Sequence, residues 1–355
     1  MSAIHPVTMP KWGLSMQEGK VNGWLKQVGD AIEKGQEIVE VESEKIAGAV
    51  EAAESGVLRR TLAAEEDVLP VGGLLGVIAD AGVSDADIDA FVADYLSNFK
   101  PADGEAEDQG PTPQKIDVNG HRLRYLKRGE GGEPMLLIHG FGGDLNNWLF
   151  NHEALAADRE VYALDLPGHG ESSKDVGEGT LEALADTVAD FMAAVGIDSA
   201  HLVGHSMGGK AAMMLALRHP ELVRKLVVMD IAPYAYSHSQ TALIDAMEAV
   251  DLRGVRLRSD VDKQLAAYIP EAGVRAFLLQ SLDLKSDPPR WKFNLAALRD
   301  QMANLVGWPG DAPKGSFDGP VQVLAGADSE YCREPQVEAI RAHFPQARIR
   351  YFAGA

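Results

Sequence analysis

An acidic segment at residues 100–113 constrains the fold most strongly, because it cannot form part of a core. It reads Lys-Pro-Ala-Asp-Gly-Glu-Ala-Glu-Asp-Gln-Gly-Pro-Thr-Pro and is nearly free of apolar side chains. Such a segment buries too little surface to offset the entropy lost on folding, which is typical of a flexible linker. The 355-residue chain is therefore predicted to hold a domain at 1–80, a helix plus linker at 81–113, and a second domain at 114–355.

The first predicted domain consists of short alternating stretches separated by glycines, which indicates an all-β fold with tight turns. These glycines are Gly19, Gly23, Gly29, Gly35, Gly48, Gly56, Gly72, Gly73 and Gly76. Residues 84–99 then predict an amphipathic helix with Ser84 as its N-terminal cap. The predicted apolar stripe of that helix is Ile88, Phe91, Val92, Tyr95 and Leu96.

Lys45 ends the tetrapeptide Glu-Ser-Glu-Lys, between two strand-like runs at 37–41 and 46–51. A lysine among acidic residues at a hairpin tip is a poor core residue and is accessible to a modifying enzyme. Gly29 lies 16 residues before Lys45 and Gly56 lies 11 residues after it (45 − 29 = 16; 56 − 45 = 11), and glycine allows the turns that shape such a hairpin. An ordinary exposed lysine is the alternative interpretation.

These offsets, together with the phrases at 9–13, 28–32 and 34–36, resemble a lipoyl domain. The resemblance implies a flattened β-barrel in which a lipoate ligase attaches lipoate to Lys45. Biotin carriers share this fold but usually have methionines beside the lysine, whereas Glu44 and Ile46 flank it here. Covalent lipoate is therefore the expected cofactor.

The second predicted domain alternates short apolar runs with helical patterns. Such runs are typical of strands buried on both faces of a mostly parallel sheet. The runs lie at 135–138, 161–164, 201–204, 226–229 and 321–324.

Ser206 is the central residue of a Gly-His-Ser-Met-Gly motif at 204–208. The motif follows the apolar run at 201–203 and opens a predicted helix at 209–216. A strand–turn–helix context is what a nucleophile elbow requires, because a sharp turn lifts the serine above the sheet. A turn serine without chemistry is the alternative.

Two earlier segments accompany this motif, at 137–143 (Leu-Ile-His-Gly-Phe-Gly-Gly) and at 164–172 (Leu-Asp-Leu-Pro-Gly-His-Gly-Glu-Ser). In this order and spacing the three segments resemble the α/β-hydrolase family from about residue 115 to the end. That resemblance implies a helical cap at about 233–317. It also implies Ser206 as nucleophile, with an oxyanion hole formed by the backbone N–H groups of Phe141 and Met207.

Two aspartates compete for the role of the acid in a catalytic triad. The resemblance places the acid after the penultimate strand, where the usual spacing falls on Ser329 and Asp328 is adjacent. A second known placement is one strand earlier, where Asp230 lies 24 residues after Ser206 (230 − 206 = 24). We prefer Asp230 and keep Asp328 as the alternative acid.

The resemblance places the triad histidine after the last strand. His205 neighbours the nucleophile and points the wrong way, and His139 and His169 are interpreted as loop-ordering residues. His343 precedes the last strand in a predicted helix. The expectation is therefore that the sequence is C-terminally truncated and that the histidine and a final helix lie beyond Ala355.

A lipoyl domain joined to an α/β-hydrolase domain resembles the dihydrolipoyl acetyltransferase components of acetoin dehydrogenase complexes. This resemblance implies a homo-oligomeric core, a thiamine-diphosphate-dependent acetoin dehydrogenase that loads acetyl on the lipoyl arm, coenzyme A as co-substrate, and a flavin dihydrolipoyl dehydrogenase. The sequence lacks the His-x-x-x-Asp-Gly motif of ordinary acyltransferase components. Two alternatives stay open: an esterase or thioesterase fused to a carrier, and a lipoyl donor with a non-catalytic scaffold.

Charge and cysteine content exclude several other classes. The net charge of −20 disfavours binding to nucleic acid or to an anionic membrane surface. Cys332 is the single cysteine, which excludes an internal disulfide framework and fits a reducing cytoplasm. No secretory signal, transmembrane-length apolar run or metal site is predicted from the sequence.

Overall fold

The computed structural model describes residues 4–12, 16, 18–43, 47–100, 111–236 and 241–353. These residues form two compact units. The first takes residues up to 110 together with 252–264, and the second takes 111–251 and 265–355. Lys45 and residues 101–110 of the predicted linker lie outside the described residues.

The first unit contains two four-stranded antiparallel sheets, with strand orders β1-β8-β6-β3 and β5-β4-β2-β7. The strands are β1 (Ile4–Thr8), β2 (Glu18–Trp24), β3 (Ala31–Ile32), β4 (Glu37–Glu42), β5 (Ala47–Glu51), β6 (Gly56–Thr61), β7 (Val68–Pro70) and β8 (Leu74–Ala79). Both sheets contribute to one core, in which Val21 and Ile38 meet Leu58 and Leu75. The all-β prediction is confirmed for the described residues.

Strands β4 and β5 form an antiparallel hairpin at the two strand-like runs of the sequence. Glu42 pairs with Ala47, so the connection between the two strands carries Lys45. The two flanking glycines serve different purposes. Gly29 has a φ of +103°, which favours glycine, whereas a Cβ on Gly56 would lie 2.7 Å from the side chain of Ile78.

The predicted helix forms as α1 (Asp85–Asn98), and the Ser84 side chain accepts a hydrogen bond from the Asp87 amide. Ile88 is fully buried against a small apolar cluster that includes β8. The stripe prediction is wrong for Leu96, which is 56% exposed. Leu96 lies about 100° around the helix from Tyr95, whose hydroxyl donates to the Gly72 carbonyl, and so points away from the sheet.

The second unit is built on an eight-stranded sheet with the order β18-β17-β14-β13-β11-β12-β10-β9. Each neighbouring pair from β18 through to β12 is parallel. Strand β10 pairs antiparallel with β12 on one side and with β9 on the other. The strands are β9 (Gln114–Val118), β10 (His121–Arg128), β11 (Met135–Ile138), β12 (Val161–Leu164), β13 (Ala200–His205), β14 (Val223–Met229), a separate pair β15 (Leu282–Asp283) and β16 (Arg290–Trp291), β17 (Val321–Gly326) and β18 (Arg348–Phe352).

The helices between β14 and β17 belong to an insertion that begins and ends at neighbouring strands. The helices that follow α1 are α2 (Leu149–Leu155), α3 (Leu181–Ala194), α4 (Met207–Arg218), α5 (Thr241–Ala249), α6 (Arg258–Leu265, with residues to 264 in the first unit), α7 (Ala272–Leu279), α8 (Leu295–Asp300), α9 (Met302–Val306) and α10 (Gln336–His343), with 3₁₀ turns at Leu145–Trp148 and Pro220–Leu222.

The sheet sets the position of the site. Because β11, β13, β14 and β17 are parallel, their carboxyl ends meet at one edge, and loops from these ends form the usual ligand crevice of such a sheet. Of the described helices, none has the length and apolar character needed to cross a membrane.

Candidate active site

Ser206 occupies a strained turn between β13 and α4, as the motif predicts. Its φ of 50° and ψ of −118° place a non-glycine residue in a sparsely populated region, which typically costs about 1–3 kcal/mol. Its amide donates to the Met229 carbonyl at the end of β14, 2.9 Å away. A strained backbone conformation persists where the surrounding structure packs closely around it. The two glycines of the motif allow that close packing.

Gly204 and Gly208 are needed because backbone crowds both positions. A Cβ on Gly204 would lie 2.4 Å from the Gly208 carbonyl oxygen. A Cβ on Gly208 would lie 2.4 Å from the carbonyl oxygens of both Ile138 and His139. The first turn of α4 therefore packs directly on the end of β11.

The two residues with the proposed oxyanion-hole amides flank the serine. Met207 is the first residue of α4, and Phe141 follows β11. Within the described part of the chain, neither backbone N–H donates to another protein group. Both amides are thus available to a developing negative charge on a substrate oxygen.

A cleft of about 380 Å³, including its open mouth, reaches Ser206. Its walls are mostly apolar, which suits an acyl group and disfavours a highly charged substrate at this position. The lining residues are Phe141, Ser206, Met207, Lys210, Ile231, Tyr236, Met302, Leu305, Val306 and Tyr331.

The histidines near this edge are held in structural roles. His139 is fully buried; its Nδ1 donates to the Gly140 carbonyl (2.8 Å) and its Nε2 accepts from the Leu166 amide (2.9 Å). With both nitrogens occupied, and with burial lowering its pKa, His139 orders the loops after β11 and β12. Burial lowers the pKa of His169 to about 3, and its Nδ1 contacts the Pro167 carbonyl.

Two further histidines of the second unit are His205 and His343. Burial lowers the pKa of His205, and His343 uses Nδ1 on the Ala339 carbonyl and Nε2 on the Trp308 indole N–H. Within the described ranges, no histidine is hydrogen-bonded to Ser206. His343 is the last residue of α10, in agreement with the prediction that it lies in a helix before the last strand.

The two candidate acids differ in their surroundings. Asp230 follows β14 with a φ of 54°, its amide donates to the Leu324 carbonyl, and its Oδ1 accepts from the Gly326 amide at 3.2 Å. It directly follows Met229, the residue whose carbonyl binds the Ser206 amide. Asp328 lies in the turn after β17 and is exposed.

Two family models match the chain. One, described as "Biotin-requiring enzyme", matches residues 5–78, and one, described as "alpha/beta hydrolase fold", matches residues 133–355. The chain belongs to the α/β-hydrolase fold family. It is thus an all-β domain of the biotin and lipoyl type followed by an α/β-hydrolase domain.

Several curated proteins are similar to this hydrolase-family chain. It is 52% identical, over 65% of its length, to a Pseudomonas putida protein named dihydrolipoyllysine-residue acetyltransferase component of acetoin cleaving system, and it covers 63% of that protein. A Cupriavidus necator protein of the same name is also 52% identical, with 61% of its length covered. The chain therefore spans less than two thirds of the length of these two relatives.

Proteins named as esterases are also similar to this chain. The chain is 32% identical to esterase YbfF of Escherichia coli, covering 66% of this chain and 89% of that protein. A solved structure titled "Marine microorganism esterase" has a TM-score of 0.61 and 31% identity, covering 66% of this chain and 91% of the other.

Lys210 is a residue of this hydrolase cleft that sequence reasoning missed. It lies four residues after the nucleophile, is 1% exposed, and donates from Nζ to the carbonyls of Tyr234, Val306 and Gly307. Burial lowers the pKa of its ammonium group to about 7. The available signal was that Lys210 is the single cation in the run from Met207 to Leu217 of α4, where every residue is buried.

Proposed function

We propose that this chain is the acetyl-carrying acetyltransferase component of an acetoin dehydrogenase complex, with acyl chemistry at Ser206 and coenzyme A as acceptor. One observation carries the proposal: a lipoyl-type hairpin and a serine elbow that opens on an apolar cleft are present in the same chain. The two acetyltransferase components that are 52% identical support it.

Lys45 is proposed to carry the lipoyl group. The pairing of Glu42 with Ala47 supports this assignment, because only residues 43–46 of the sequence separate the two paired positions. A lipoyl group on this residue would supply a thiol that carries acetyl. A thiamine-diphosphate enzyme and a flavin dehydrogenase are the proposed partners that load and reoxidise it.

The hydrolase unit is proposed to act by acyl transfer through Ser206. Its Oγ attacks the carbonyl carbon of an acetyl thioester and loses its proton to a histidine outside the described residues, oriented by Asp230. The amides of Phe141 and Met207 bind the oxyanion, and the thiol leaves with the proton that the histidine received. A second thiol, that of coenzyme A, then attacks the acetyl-serine ester, which restores the serine hydroxyl.

The distribution of products tests the proposal. The full-length protein is given acetyl-dihydrolipoamide and coenzyme A, and acetyl-coenzyme A and acetate are both measured. We expect acetyl-coenzyme A to dominate and to disappear in Ser206→Ala. Acetate as the main product would favour the esterase alternative, which the similarity to esterase YbfF supports. Unchanged product formation in Ser206→Ala would contradict acyl chemistry at this serine.

Lipoylation at Lys45 is tested separately by intact mass in a host shown to lipoylate other domains. We expect one lipoyl adduct, absent in Lys45→Ala. Lys34→Ala is the matched control, because Lys34 is a 66%-exposed lysine in the same unit, and it should keep the adduct. An unmodified wild-type protein would overturn the assignment.

A further inference from the structure

The buried ammonium group of Lys210 has no part in the proposed acyl transfer, yet it lines the same cleft as Ser206. An ammonium group has three N–H donors and no acceptor. Here each donor has a carbonyl: Tyr234 at 3.0 Å, Val306 at 2.6 Å and Gly307 at 2.7 Å. Such complete pairing is what allows a cation to remain buried.

The three carbonyls come from the two ends of the insertion between β14 and β17. Tyr234 lies at its start, 24 residues after Lys210, and Val306 and Gly307 lie 96 and 97 residues after it. The Tyr236 amide also donates to the Val306 carbonyl at 3.1 Å, and the Lys210 Nζ lies 4.8 Å from the centre of the Tyr236 ring. Lys210 therefore joins both ends of the insertion to the helix that follows the nucleophile.

One of these ends is a wall of the acyl cleft. Met302, Leu305 and Val306 belong to α9 and line the cleft. A helix of five residues has little stability of its own, so its position depends on tertiary contacts. Val306 and Gly307 close its C-terminus, where the helix dipole favours a cation.

We propose that Lys210 is a positioning residue that holds this wall and thereby restricts the cleft to short acyl groups. The inference rests on the proposed acyl transfer at Ser206 and specifies its substrate class. Removing the ammonium group would take this donor from the Tyr234 and Gly307 carbonyls and would leave the Val306 carbonyl with the Tyr236 amide. The loss of these bonds would loosen α9 from α4 and deepen the cleft. Pocket changes of about one methylene shift discrimination by roughly 10- to 200-fold.

The test compares Lys210→Met with wild type in the full-length protein, using p-nitrophenyl acetate, butyrate and hexanoate. We expect kcat/KM for hexanoate relative to acetate to rise about tenfold, mainly through KM. Hydrogen exchange at the Tyr236 amide should also accelerate, because its acceptor Val306 is released. Ester hydrolysis needs no coenzyme A, so a failure of the transferase proposal leaves these readouts intact.

Two further variants separate positioning from general destabilisation. Met214→Ala truncates a side chain of the same helix that is 1% exposed, and it should lower stability without changing the chain-length profile. Lys210→Arg keeps a cation with different N–H directions, and it should shift the profile in the same direction by less. The proposal would be overturned if the folded Lys210 variants kept the wild-type chain-length profile and the wild-type hydrogen exchange at the Tyr236 amide. It would also be overturned if Met214→Ala shifted the chain-length profile equally.

Discussion

Replacing Gly208 with alanine tests whether the contact between α4 and β11 sets the position of the nucleophile. The added Cβ would lie 2.4 Å from two backbone oxygens, those of Ile138 and His139, whereas ordinary contact begins at 3.4 Å. The deficit is about 1 Å (3.4 − 2.4), and neither oxygen belongs to a flexible side chain. The start of α4 must therefore move away from β11, and Ser206 and Met207 move with it.

Two effects determine the magnitude. Overpacking of this kind costs about 1–3 kcal/mol, and alanine regains about 1 kcal/mol of helix propensity over glycine. A net loss of up to about 2 kcal/mol is expected in urea unfolding of the second unit. A misplacement of about 1 Å at reacting groups can cost roughly 100-fold in rate. Serine-dependent hydrolysis of p-nitrophenyl acetate should fall by about that factor, far more than the stability loss alone explains.

Gly273→Ala is the matched control. Gly273 is an exposed residue of α7, and an added Cβ would meet no atom within 4 Å. This variant should gain up to about 1 kcal/mol and keep its activity. The packing argument would be refuted if Gly208→Ala kept more than half of the wild-type rate of hydrolysis while Ser206→Ala abolished it.

Two further predictions concern titratable groups. Asp230→Asn should lower kcat by about 10⁴-fold, because an ionised partner orients the triad histidine, and Asp328→Asn should lower kcat only slightly. Steady-state kinetics of both variants measure this difference. Equal losses of kcat would remove the preference for Asp230. Burial lowers the pKa of His152 to about 4, and its Nε2 donates to the Val161 carbonyl, so the unfolded chain takes up the proton first as pH falls below about 6.5. This residue should make the second unit about 2 kcal/mol less stable at pH 5 than at pH 7.5. Chemical denaturation of His152→Gln should show a smaller difference in stability between the two pH values. The same pH dependence in wild type and variant would count against the assignment.

The central elements were predictable because local pattern and tertiary environment agree there. The runs at 135–138 and 161–164 coincide with β11 and β12, since strands covered on both faces need apolar residues at every position. The elbow at Ser206 was predictable because backbone crowding demands glycine on both sides, and that demand is visible in the motif.

Other features depend on partners distant in the chain. The acceptors of Lys210 lie up to 97 residues away, and no local pattern records them. The strained φ of Asp230 and its bond to the Gly326 amide arise only when β14 and β17 are adjacent. Residues 252–264 lie within the predicted cap range but belong to the first compact unit, which composition does not indicate. The role of Asp230 and the identity of the triad histidine therefore stay predictions.

The position of β8 within its sheet has a mechanical consequence. Ala79 at its end is paired on one side with Ile4 of β1 and on the other with Val57 of β6, and the chain continues from this strand into α1 of the same unit. Tension transmitted from residue 100 is therefore received by a strand bonded along both sides, which cannot be peeled one bond at a time. A load applied through the N-terminus would act on β1, an edge strand, so fusion or immobilisation at that end would stress the weaker attachment of the domain.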